Sequence, residues 1–314
     1  MKVLHIDENH PVLASMLEEN GFVNHFDYTS GKLDITARIR DYQGLIIRSR
    51  FPIDAAFLDA AINLEFIGRV GAGLENIDLE HAAIKDIACY NAPEGNRNAV
   101  GEHALGMLLS LFNHLNTAHD QVKRGIWDRE GNRGLELEKK TVGIIGYGNM
   151  GKSFARKLAG FDCRVVFHDI KKGLEDQFAS QVSLTELQKQ IDVLSLHTPQ
   201  NPDTMGMVDS QFINGFHKQF FLINTARGKS VVTTDLLAAL ENGKILGAGL
   251  DVLEEEGSSF GLRFRESETS PLTQLLEKPN VLVTPHVAGW SIESKYKLAE
   301  TIASKIINHH QPNL

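Results

Sequence analysis

TVGIIGYGNMGKSFARKLAGFDCRVVFHDI, residues 141–170, is the stretch that decides the fold. An apolar run from Thr141 to Ile145 enters Gly146, Gly148 and Gly151. A helix-forming segment follows, then a second apolar run, Arg164 to His168, and finally Asp169, 18 residues beyond the third glycine. Strand, glycine loop, helix, strand and acid in that order make a complete dinucleotide-binding βαβ unit, a far more specific signal than three glycines alone. Gly146 permits the tight turn, Gly148 lets the backbone approach a pyrophosphate, and Gly151 allows close helix-to-strand packing. The pyrophosphate is expected at the helix N-terminus, where free N–H groups and the dipole favour an anion. Asp169 is placed to accept hydrogen bonds from ribose hydroxyls and repels a 2′-phosphate, which selects NAD over NADP; Lys171 and Lys172 weaken that preference.

Outward from this unit, strand-like runs recur at Val193 to Leu196, Phe220 to Ile223, Leu246 to Leu250 and Val281 to Val283. An earlier series, Val3 to Ile6, Gly44 to Ile47, Phe66 to Val70 and Ala88 to Tyr90, alternates with amphipathic stretches. Both series read as βα repeats with parallel sheets. Ala99 to Val122 is helical and apolar on more than one face, suited to bridging two domains, and Ser291 to Ile307 reads as a helix returning the chain to the first. The fold expected is α/β: two Rossmann-like parallel-sheet domains, with an NAD domain (99–289) inserted into a discontinuous domain (1–98 and 290–314).

The chain has 314 residues, 42% hydrophobic and 23% charged, enough for two cores. Its net charge of −8 disfavours nucleic acid and anionic membrane as partners, so an anionic ligand must be held locally. No apolar stretch approaches a membrane span and no signal peptide is evident, which makes the cytoplasm the expected location. Cys89 and Cys163 form neither a disulfide framework nor a metal motif; both are expected to be buried and inert. His5, His10, His25, His114, His119 and His168 show no paired ligand spacing with cysteine or carboxylate, so no metal is expected.

Arg227, Asp251, Glu256 and His286 each follow a strand of the second series, at the edge where an open α/β sheet binds ligands. Singly, each is an ordinary solvated residue. Together they suit one reaction. Reducing a 2-oxo acid needs a bidentate clamp for its carboxylate, a hydride donor, and an acid for the developing alkoxide. Arginine supplies the clamp. Histidine supplies the proton, and a neighbouring carboxylate, Glu256, stabilises its imidazolium and holds its tautomer.

GRVGAGLENID (68–78), NAPEGNRNAVGEHALGMLL (91–109), GYGNMG (146–151), LHTP (196–199), NTARG (224–228), GAGLDV (247–252) and TPHVAG (284–289) together resemble the D-isomer-specific 2-hydroxyacid dehydrogenase family along nearly the whole chain. The resemblance implies a flavodoxin-like substrate domain and a catalytic triad of Arg227, Glu256 and His286. It implies cofactor contacts from Gly146, Tyr147, Gly148, Asn149, Met150, Gly151, Asp169, His197, Thr198, Pro199, Thr225, Ala226, Arg227, Asp251 and His286, with Asp251 meeting the nicotinamide carboxamide. Backbone N–H groups of Val70, Gly71 and Ala72 would hold the substrate carboxylate. A homodimer built on the nucleotide domain, and closure of the cleft between domains, are further implications.

Two features depart from the family pattern. Gly257 follows Glu256 where proline is common, and Glu254, Glu255 and Glu256 run consecutively, so a one-residue slip in the catalytic acid stays open. The chain also ends soon after the closing helix, which predicts no amino-acid feedback domain.

For the substrate, Arg48, Ser49 and Arg50 follow the Gly44 to Ile47 run, and guanidinium forks there suit a distal phosphate. This loop and the segment around GNRNAVGEH resemble the 3-phosphoglycerate dehydrogenases, which implies oxidation of D-3-phosphoglycerate to 3-phosphohydroxypyruvate in serine synthesis. Strand alternation directs only one of the two arginines inward. If both are surface ion-pair partners, of Asp54 for example, the substrate is a small acid, and the protein a glyoxylate/hydroxypyruvate reductase or D-lactate-type dehydrogenase. Arg263 and Arg265 are read as solvated. An NAD-sensing corepressor is a remoter reading. Formate dehydrogenase is disfavoured, because that relative carries glutamine in place of Glu256.

Overall fold

The computed structural model of the chain describes residues 1–257 and 270–310. It divides into two compact units: Met1–Arg97 with the segment from Trp290 onward, and Asn98–Glu256 with the segment ending at Gly289. Arg263 and Arg265 lie outside the described residues.

In the first unit β1 (Lys2–His5), β2 (Val23–Phe26), β3 (Gly44–Ile47), β4 (Phe66–Arg69) and β5 (Ala88–Tyr90) form one parallel sheet, ordered β2-β1-β3-β4-β5. That is the flavodoxin-like order. Helices α1 (Val12–Glu19), α2 (Lys32–Arg38), α3 (Ala55–Ala60) and α4 (Leu79–Ile84) make the crossovers. Because successive strand residues face opposite ways, Leu4, Leu45 and Ile47 join one core with Phe57 and Leu58. Val3, Ile46 and Phe66 join another, with Leu298, Ile302 and Ile306 of the C-terminal helix. A strand buried on both faces needs an unbroken apolar run, which is why Gly44–Ile47 was readable.

Two helices follow, α5 (Pro93–Phe112) and α6 (Leu115–Lys123), where the sequence predicts one over Ala99 to Val122. The chain breaks at His114, whose φ of +50° is left-handed and ends the helical ladder. Because α5 starts at Pro93, the change of unit after Arg97 falls inside a helix.

The second unit contains β6 (Thr141–Ile145), β7 (Arg164–His168), β8 (Ser180–Gln181), β9 (Val193–Leu196), β10 (Phe220–Asn224), β11 (Ile245–Leu250) and β12 (Val281–Val283). They form one parallel sheet ordered β12-β11-β10-β9-β6-β7-β8. Helices α7 (Asn149–Leu158), α8 (Leu184–Gln190), α9 (Ser210–Asn214), α10 (Thr233–Glu241) and α11 (Pro271–Leu276) cover it, and α12 (Ile292–His310) belongs to the first unit. Strand order reverses between β6 and β9, the position at which open α/β sheets bind ligands. The edge strands β2 and β8 escaped the sequence reading: β2 is largely exposed and β8 has two residues, so neither carries an apolar run. Cys89 and Cys163 are half-buried rather than buried, and burial still pushes both thiols up, Cys89 to about 11.

His5 ends β1 in the core, its Nε2 2.8 Å from Asn24 Oδ1. Burial lowers its pKa from 6.5 to about 4, so the folded chain holds it neutral while the unfolded chain protonates it. Its contribution to stability is complete above pH 6.5 and is lost as the pH falls toward 4. The loss should reach roughly 2 kcal/mol by about pH 4.5. Urea unfolding at neutral and acid pH should show a smaller acid loss for His5→Gln than for wild type; an equal loss would remove His5 as its source.

Candidate active site

The glycine loop is built by contacts that exclude side chains. Gly146 has φ +89°, and a Cβ there would sit 2.6 Å from the His197 carbonyl oxygen. A Cβ at Gly151 would sit 2.2 Å from the Gly146 carbonyl, so α7 rests directly on the loop. A Cβ at Gly148, in contrast, would meet nothing within 4 Å. Gly148 is the N-cap of α7, with no side-chain cap and no acid in the first turn, so the positive end of the helix carries no neutralising group of its own. Asn149 and Met150 form that first turn, half-buried.

Asp169 Oδ2 accepts the Tyr147 N–H at 2.7 Å and Oδ1 accepts the Lys171 N–H at 2.8 Å, which clips the acid to the glycine loop and leaves lone pairs on both oxygens. Lys171 and Lys172 are exposed. Tyr147 contributes only its backbone here. Its ring is fully buried, stacks on Phe167 at 3.8 Å, and donates its hydroxyl to Asp176 at 2.8 Å.

Past the switch point, Thr198 Oγ1 and Thr225 Oγ1, at the ends of β9 and β10, are buried without a hydrogen-bond partner among the described residues. His197 Nδ1 is likewise unbonded, while its Nε2 lies 2.9 Å from Ser195 Oγ; burial pushes the ring down to about 3 and keeps it neutral. Unbonded buried groups cost about 1–3 kcal/mol each, so their grouping on one sheet edge marks a place for a hydrogen-bonding ligand. Room at Gly148, the uncapped helix, the clipped acid and these hydroxyls all fit a dinucleotide.

Arg227 lies in a turn tied by the buried Asn224, whose Oδ1 accepts the Ala226 N–H and whose Nδ2 donates to the Arg227 carbonyl, both at 3.0 Å. The guanidinium donates to the Ala226 carbonyl at 2.7 Å. Of the three consecutive glutamates, Glu254 accepts the Thr233 N–H at the start of α10 at 2.7 Å, Glu255 is exposed, and Glu256 Oε1 is 2.5 Å from His286 Nδ1. The geometry therefore selects Glu256 as the histidine's partner. With Glu256 ionised, Nδ1 carries the hydrogen.

His286 itself has φ +55°, an uncommon conformation for a side-chain-bearing residue. It is held by Asp251, only 2% exposed. The Asp251 carbonyl accepts the His286 N–H at 2.8 Å, and its carboxylate accepts Thr284 Oγ1 at 2.6 Å and the N–H groups of Val287 and Ala288, each at 2.8 Å. Asp251, expected as a carboxamide partner, thus gives most of its hydrogen-bonding capacity to its own chain. His103, which lies in the 91–109 stretch but was given no role there, has its Nε2 3.0 Å from Thr284 Oγ1 and 3.7 Å from Asp251 Oδ1.

The first unit corrects two sequence assignments. Arg50 donates to the carbonyls of Ile6 and Asp27, each at 2.7 Å, and of Ser30 at 2.6 Å, so it knots the ends of β1 and β2 rather than presenting a fork to a phosphate. Asp7 Oδ2 takes the backbone N–H groups of Arg48, Ser49 and Arg50. Val70 donates its N–H to Ile47 and Gly71 to Arg69, whereas Ala72 has no backbone acceptor among the described residues. Of the three expected carboxylate donors, Ala72 alone keeps a backbone N–H to offer. The Arg48 guanidinium stands 4.1 Å over the Trp290 ring, makes no hydrogen bond among the described residues, and feels the negative charge of Asp7.

Residues 105–288 match the family model described as D-isomer specific 2-hydroxyacid dehydrogenase, NAD binding domain. The chain is 30% identical to D-3-phosphoglycerate dehydrogenase of Archaeoglobus fulgidus, across 98% of this chain and 57% of that protein. It is 32% identical to hydroxypyruvate reductase of Thermotoga maritima, across 83% of each. The fold matches that of D-lactate dehydrogenase from Aquifex aeolicus, solved with NAD and lactic acid, at a TM-score of 0.82 and 26% identity, covering 100% of this chain and 96% of that one. The chain spans just over half the length of the phosphoglycerate dehydrogenase it matches.

The glycine geometry separates two effects. Gly148→Val should weaken NADH binding at least about tenfold by fluorescence titration with little change in Tm, because its Cβ enters open space. Gly151→Val should lower Tm, because its Cβ meets backbone.

Proposed function

Because the chain belongs to the D-isomer specific 2-hydroxyacid dehydrogenase family, we propose that it catalyses NAD-dependent interconversion of a D-2-hydroxy acid and its 2-oxo acid. The observation that carries this is the 2.5 Å pairing of His286 Nδ1 with Glu256, within the same unit as the glycine loop and Arg227. When bound, the nicotinamide donates or accepts the hydride at C2. Arg227 takes the substrate carboxylate. In reduction, the Nε2–H of His286 delivers a proton to the C2 oxygen as charge develops there, and Glu256 stabilises the imidazolium that makes this donor available. In oxidation, the neutral Nε2 receives the hydroxyl proton. Asp251 and its bound turn keep the imidazole in place, so little reorganisation accompanies proton transfer.

For the substrate we propose an acid with a distal anion, 3-phosphoglycerate being the preferred case, which places the reaction in serine synthesis in the cytoplasm. The support is Arg48. A half-buried guanidinium stacked on an indole, with Asp7 nearby but none of its N–H groups in a hydrogen bond among the described residues, keeps donors to offer an oxyanion. A short substrate, hydroxypyruvate or glyoxylate, is the second reading, favoured by the engagement of Arg50 and by the Asp7 carboxylate occupying the loop's N–H groups. NADH consumption with 3-phosphohydroxypyruvate, hydroxypyruvate, glyoxylate and pyruvate tests both. On the first reading Arg48→Ala raises KM for the phosphorylated acid about 10- to 100-fold and leaves KM for glyoxylate nearly unchanged, as expected for losing a charge-assisted hydrogen bond. Equal losses for all four acids would reject the phosphate assignment.

We also propose a homodimer formed through the second unit. α6 buries none of its residues, and Leu115, Val122, Ile126 and Trp127 are exposed along it and just beyond, Trp127 by 79%. This is apolar surface suited to a second copy of the chain. Sedimentation of Ile126→Asp/Trp127→Asp should give monomers where wild type gives dimers; dimeric variants would move the interface elsewhere.

A further inference from the structure

His103, Met107 and Leu111 recur at four-residue intervals on α5 and so share one face of the helix. Met107 and Leu111 are buried and lie against Gly249 of β11. The next position toward the N-terminus would continue an apolar stripe, but it holds a histidine, with Nε2 3.0 Å from the hydroxyl of Thr284, the residue directly after β12.

The hydroxyl of Thr284 has one proton. Its oxygen is 2.6 Å from Asp251 Oδ1, and an ionised carboxylate only accepts, so the proton lies on that bond. Thr284 Oγ1 must then accept from His103, whose Nε2 carries a hydrogen. The same Asp251 carboxylate accepts the N–H groups of Val287 and Ala288, which flank the left-handed His286 on its C-terminal side. A continuous set of directed bonds therefore runs from α5 to the turn that carries the proton donor.

We propose that His103 is a positioning residue for His286, acting through Thr284 and Asp251. By occupying a lone pair of Thr284 Oγ1, it commits the hydroxyl proton to Asp251. That keeps the carboxylate oriented to hold the 284–288 turn. Without this donor the hydroxyl is free to rotate, and the turn loses the bond that orients its anchor. The proposal rests on the assignment of His286 as proton donor, and its test includes a readout independent of turnover.

His103→Leu keeps an apolar filling for the stripe but removes the donor, whereas His103→Gln restores an N–H at similar reach. In the full-length protein, His103→Leu should lower kcat about tenfold, the worth of one oriented hydrogen bond, with KM for the 2-oxo acid within about twofold of wild type. His103→Gln should recover most of the loss. Thr284→Val should lower kcat as well, and His103→Leu should cost less in that background than in wild type, because Thr284 carries the hydrogen-bonded link while His103 Nε2 also faces Asp251 Oδ1 directly at 3.7 Å. Without substrate, hydrogen–deuterium exchange at the Val287 and Ala288 amides should accelerate in His103→Leu and Thr284→Val but not in His103→Gln. Unchanged kcat and exchange in His103→Leu, or losses that multiply in the double variant, would overturn the proposal. If wild type reduces none of the 2-oxo acids, the proton-donor assignment fails, and amide exchange still decides whether His103 holds the turn.

Discussion

The chemical centre depends on one buried carboxylate. Asp251 sits at the end of β11, and its carboxylate gathers a threonine hydroxyl and two backbone N–H groups from the turn that follows β12. An ionised carboxylate without water is tolerated only when its lone pairs are satisfied, and the donors here all belong to the segment carrying His286. Satisfying the charge and shaping the turn are the same event. The strained backbone of His286 is maintained because relaxing it would disturb bonds that the buried charge requires.

That arrangement is possible because every strand of the sheet is parallel. The carboxyl ends of β6, β9, β10, β11 and β12 all reach one edge, bringing the glycine loop, Thr198, Arg227, Asp251 and His286 together from widely spaced parts of the chain. Glu256 and His286 come from successive loops after adjacent strands, β11 and β12, so their pairing follows from strand order. Glu254 reinforces it by capping α10, which fixes the loop two residues before Glu256.

Features dictated by backbone geometry were legible in the sequence. Gly146 and Gly151 sit where a Cβ meets carbonyl oxygens, so no other residue fits and the spacing is diagnostic. The inner strands were legible because burial on both faces leaves only apolar residues. Of the edge strands, β5 and β12 were legible as short apolar runs, whereas β2 and β8 carry no such run and were not. The break at His114 has no proline or glycine to announce it and depends on a left-handed histidine. His103, though inside a quoted stretch, drew no role for a related reason: it sits in an otherwise apolar helical stripe, and its polar partners Thr284 and Asp251 lie far along the chain.

Arg48 and Arg50 show why specificity was harder to read than chemistry. They are two residues apart in a loop, of the same type, and each suits an anion on sequence grounds. Their difference lies in what surrounds them. Arg50 meets three carbonyls at the ends of β1 and β2, and a guanidinium with its donors spent on backbone is part of the fold. Arg48 meets an indole face, which fixes its plane without consuming its N–H groups. Cation–π stacking orients a charge and leaves its donors available, whereas carbonyl bonding fixes and consumes them. That distinction arises from Trp290, 242 positions away in the chain, rather than from anything in the loop itself.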